Sequence, residues 1–112
     1  MAQSRSLSVQ SVTASTTQTQ AGGTVVNGDI CLVTVANAND AVTLPANLPT
    51  GTVFYLVGGA NAGRIYPPVG GTINAKSQDA LETLSASVVH LCIVTASGSS
   101  STYTINKLAV AS

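Results

Sequence analysis

The chain has 112 residues, 45% of them hydrophobic and only 7% charged, with a formal net charge of zero. A soluble domain usually carries about 25% charged residues, so the exterior must be neutral and polar or covered by other chains. The four basic residues, Arg5, Arg64, Lys76 and Lys107, are scattered and argue against phosphate-driven binding of nucleic acid.

The length sets one domain with a modest core. The longest apolar run, "SVVHLCIVTA", is far short of the ~20 residues that span a bilayer, so no membrane partner is expected. The start, "MAQSRSLSVQ", has no apolar stretch of the secretory kind. Production in a cytoplasm is expected, with Cys31 and Cys92 reduced.

Residues 1–23 are rich in Ser, Thr and Gln. Such a segment buries too little to offset its ordering entropy alone. It reads as an extended N-terminal arm, mobile when free and ordered on a partner, with Leu7, Val9 and Val12 as candidate partner-binding anchors. A frayed terminus without a role is the alternative.

Residues 24–112 read as a β-domain. "DICLVTVA", "DAVTLP", "GTVFYLVG", "GRIYPP", "GTINAK", "SASVVHLCIVTAS" and "STYTINKLAV" follow one another between turn residues. Turn signals every 8–12 positions predict an all-β fold, a small antiparallel sandwich or barrel of jelly-roll-like kind. Pro45, Pro49, Pro67 and Pro68 fall at strand ends, where a missing N–H does no harm. "SQDALETL" fits one helical turn, a strand or a loop. No internal repeat is strong enough to argue a solenoid.

Titratable chemistry is sparse. His90 in "VVHLCIV" shares a strand face with Val88, Cys92 and Val94. Side chains two apart on a strand stand about 7 Å from each other, too far for a Cys–His nucleophilic pair. A structural histidine and two buried thiols are expected. Asp29 and Asp40 could join carbonyl groups around calcium, or simply form turns. No catalytic, cofactor-binding or structural metal site is expected, and the aromatic residues Phe54, Tyr55, Tyr66 and Tyr103 read as packing groups.

The run "AVTLPANLPTGTVFYLV", then "GRIYPPVGGTINA", "LETLSASVVHLCIVTA" and "STYTIN", resembles a pattern of small bacteriophage virion proteins, namely tail-fibre segments and capsid decoration (cement) proteins. The matching elements are Leu44-Pro45, Gly51 to Phe54, Ile65 to Ile73, Val88 to Val94 and Tyr103. The resemblance implies a non-enzymatic all-β virion component, made in the host cytoplasm and assembled as a homotrimer. A chain of this length starting at Met1 suits a decoration protein bound to the major capsid protein, which stabilises the head shell. The alternative is a tail-fibre or receptor-binding domain that recognises a host surface glycan.

Overall fold

The computed structural model describes residues 7–108. Ten strands form among the described residues: β1 (Val9–Thr13), β2 (Thr24–Val25), β3 (Ile30–Thr34), β4 (Ala41–Thr43), β5 (Val53–Gly58), β6 (Gly63–Tyr66), β7 (Thr72–Ile73), β8 (Glu82–Leu84), β9 (Val89–Ala96) and β10 (Thr102–Leu108). No helix forms among the described residues, and the end of "SQDALETL" becomes β8 after turns at residues 77–79.

The strands make two sheets, ordered β1-β3-β5-β9-β10-β7 and β2-β4-β6-β8. Their inner faces share one core. Val12, Cys31, Val33, Phe54, Leu56, Cys92, Val94 and Ile105 come from the larger sheet, and Val42, Ile65 and Leu84 from the smaller. Burial alternates residue by residue in β3, β5 and β9, the period-2 pattern of a strand with one face inward. Phe54 and Tyr103 meet edge to face at 5.9 Å between ring centres, and the Tyr103 hydroxyl donates to the Pro45 carbonyl.

The expected antiparallel pairing is corrected. Of the eight strand pairs among the described residues, five are parallel and three antiparallel. Up to β6 the chain alternates between sheets. β1, β3 and β5 lie side by side in one, and β2, β4 and β6 in the other. The short turns therefore join layers and do not close hairpins. This is a coil-like winding, and its turns differ in length: Val9 pairs with Ile30, but Ile30 pairs with Tyr55. Unequal turns leave no repeat in the sequence. Only β9 and β10 form a long antiparallel hairpin, which lies between β5 and β7.

Much of the segment expected to be an arm lies within this framework. β1 runs parallel to β3 from Val9↔Ile30 to Thr13↔Thr34, and Val12 and Ala14 are buried in the core. Three glutamines tie the segment down. Gln10 Oε1 accepts from the Asn27 and Gly28 amides, both at 3.0 Å. Gln18 Nε2 donates to the Ala38 carbonyl and to Asp40, and Gln20 Nε2 donates to the Pro67 carbonyl and to Asp79. A boundary at residue 23 thus cuts through hydrogen-bonded structure; residues 1–6 lie outside the described part. Val12→Asp should lower stability by about 3 kcal/mol, the scale for an unpaired charge placed in a core. A urea midpoint unchanged from wild type would show that β1 contributes nothing to the fold.

Candidate assembly face

The polar groups that chemistry would need are engaged in holding the fold. His90 is fully buried. The Ser85 amide donates to its Nε2 at 3.0 Å, so the ring proton sits on Nδ1 and points to the Leu56 carbonyl at 3.1 Å. Burial lowers the pKa of this imidazole below its ordinary value, and it stays neutral. Cys31 and Cys92 are buried free thiols, both with raised pKa, chiefly from desolvation. β5 lies between them, with Leu56 opposite Cys31 and Phe54 opposite Cys92. Two strand spacings, about 10 Å, exceed the ~7 Å limit of a disulfide.

The carboxylates are also occupied. Asp29 accepts from the Ser8 amide and hydroxyl at 2.9 and 3.0 Å. Asp40 is buried and accepts from Gln18 Nε2 and the Asn37 amide. Among the described residues no three His, Cys, Asp or Glu side chains come together as a metal ion would need. A groove of about 160 Å³ runs beside Asp29, lined by Val26, Pro45, Leu48, Val53 and Phe54.

Glu82 is the centre of a charge cluster. Lys76 lies at 2.8 Å and Lys107 at 3.4 Å, and Asn74 Nδ2 donates to it at 3.3 Å. Burial alone would raise its pKa, but the two lysines and Asn74 more than offset that and hold it low. Hydrogen bonds from Gln20 and then from the Gly70 amide hold Asp79 low as well. The shifts at His90, Asp79 and Glu82 are all downward, so at these groups the unfolded chain binds more protons than the folded one. The stability they govern is complete just above the ordinary histidine value and falls as pH drops through it. It falls again below the ordinary carboxylate range of about 4. Urea midpoints measured down a pH series should decline in those two stages; a midpoint that rises on acidification would contradict the assignment.

The outward face of the larger sheet is different in kind. Strand register aligns Val9, Ile30, Tyr55, Leu91 and Asn106 in one row across it. The next row holds Ser11, Leu32, Val57, Val89 and Leu108, and Val53 stands beside Ile93. Ten of these side chains are apolar and none is charged. Val9 is 60% exposed, and Leu32, Val53 and Leu108 each more than 40%. A monomeric surface seldom gathers so many apolar groups without interruption, and such patches mark contacts with other proteins.

The three candidate anchors separate on this geometry. Val9 belongs to the apolar face, Val12 points into the core, and Leu7 is exposed ahead of β1. The face as a whole was not singled out from the sequence. Its signal is there, in runs such as "VFYLV" and "VVHLCIV", where strands stay apolar on both sides and do not alternate with polar residues. No family model, curated protein or solved structure matches the chain.

Proposed function

We propose that this chain is a non-enzymatic structural subunit of a bacteriophage virion, a decoration or cement protein that binds the major capsid protein and stabilises the head shell as a homotrimer. The observation that carries the reading is the charge-free apolar face of the larger sheet. A protein that worked alone would pay for it in solubility, whereas a subunit of a permanent assembly covers it. The resemblance to small virion proteins supplies the setting. The buried or paired polar groups His90, Asp40 and Glu82 serve the fold.

The test is the number of copies per particle, by quantitative mass spectrometry of virions purified from the source of this sequence. A decoration protein is present in numbers comparable to the major capsid protein. A few copies per particle would move the chain to the tail, as a fibre or receptor-binding domain. Its absence from virions would overturn the reading.

A further inference from the structure

We infer that the outward face of the larger sheet, centred on Ile30, Leu32, Tyr55 and Leu91, is the surface through which copies of this chain associate with one another. The inference rests on the assembly part of the reading above and not on the virion part.

Area comes first. Five strands, β1, β3, β5, β9 and β10, span about 24 Å at ~4.8 Å each, and strands of this length run roughly 20 Å. The flat area is then about 500 Å², and raised side chains add to it. A stable contact buries about 800 Å² from each partner, part of it polar rim. The apolar rows supply the centre and Ser11, Thr13, Thr34, Thr95, Thr104 and Asn106 supply the rim.

Charge then decides between occupants. A foreign protein surface brings charged groups at its rim, and this face offers none to pair with them. A second copy brings the same neutral face, so no charge is stranded on burial. The chain also has no net charge, so copies approach without long-range repulsion.

Shape agrees with both. Two such sheets can stack about 10 Å apart with side chains interdigitated. Around a three-fold axis each sheet would lie about 5 Å from the centre, and a triangle of that size has sides of roughly 17 Å, close to the ~19 Å between the outermost of these five strands.

The test uses the full chain. Light scattering at micromolar concentration should give an oligomer for the wild type. The double variant Leu32→Glu/Val53→Glu should be monomeric with an unchanged circular dichroism spectrum, since both side chains are already more than 40% exposed. Val69→Glu, an apolar residue 68% exposed in the turn between β6 and β7, should assemble as the wild type does. Should the glutamate pair disturb folding, Leu32→Thr/Val53→Thr keeps strand-compatible residues and should raise the dissociation midpoint at least tenfold. A monomeric wild type overturns the inference, and so does an oligomer that survives both double variants. Virions that lack the protein would sink the decoration reading while leaving this one standing.

Discussion

Replacing His90 with alanine should remove about 2–5 kcal/mol of stability. The imidazole joins two elements that share no other side-chain link at that point. It accepts from the Ser85 amide beside β8 and donates to the Leu56 carbonyl in β5. Alanine leaves the Ser85 amide without its acceptor in a site closed to water, which costs about 1–3 kcal/mol, while the Leu56 carbonyl keeps its place in the ladder with β9. The vacated ring volume adds a cavity cost of the order of 1–2 kcal/mol. A domain of this size has only about 5–15 kcal/mol in all, so the variant should lose a large share of its stability. His90→Gln can keep one of the two bonds and should lose less. Urea unfolding measures both, and a loss below about 1 kcal/mol for alanine would mean that water or backbone movement replaces the lost partners.

A single methyl group should do comparable damage at Gly58. This residue ends β5 and is buried. A Cβ placed there would fall within 2.2 Å of the Ser85 carbonyl oxygen and 3.3 Å of the Ser87 amide nitrogen. Those atoms are backbone and cannot rotate away. Relief requires moving the turn between β8 and β9, yet that turn is fixed by the Gly58 amide on the Val88 carbonyl and the Ser87 amide on the Gly59 carbonyl, both at 2.8 Å. Gly58→Ala should therefore cost about 3 kcal/mol, the upper range for overpacking. Because Ser85 is also His90's partner, the two substitutions strain one turn, and their double variant should lose less than the two single losses together. Full additivity in urea would show that the sites act separately.

Strand positions were legible where side chains alone decide them. "CLV", "FYL" and "HLCIV" announce extended, buried chain through β-branched and aromatic residues, and Pro45 and Pro67 stand just past the ends of β4 and β6. Alternation also sets Tyr103 and Ile105 on one face of β10, and the structure turns that face inward. Parallel pairing did not, because the length of a turn does not say whether it closes a hairpin or crosses to a second layer. β1 was missed for a different reason. Its place rests on the ladder with β3 and on Gln10 reaching the Asn27 and Gly28 amides, while Gln18 and Gln20 reach backbone carbonyls far along the chain to hold the segment after it. Glutamine in a Ser/Thr-rich stretch has the same composition whether or not those partners exist. The assembly face escaped because a continuous apolar run is ambiguous. It fits a strand covered on both sides equally well, and only the position of the second sheet shows which side is left open.

The placement of the β9–β10 hairpin between β5 and β7 has a consequence for synthesis. A ribosome delivers the strands in order, so β1 to β6 can wind before the hairpin exists. Until β9 has cleared the exit tunnel, that edge of β5 has no neighbour, and Phe54 and Leu56 lack the side of the core that Cys92 and then Ile105 complete. β7 meanwhile waits for β10, its one strand partner among the described residues. The nascent chain therefore exposes an open sheet edge until β9 emerges, within reach of neighbouring chains on the same message. A chain that stops short of β9 keeps that edge of β5 open permanently.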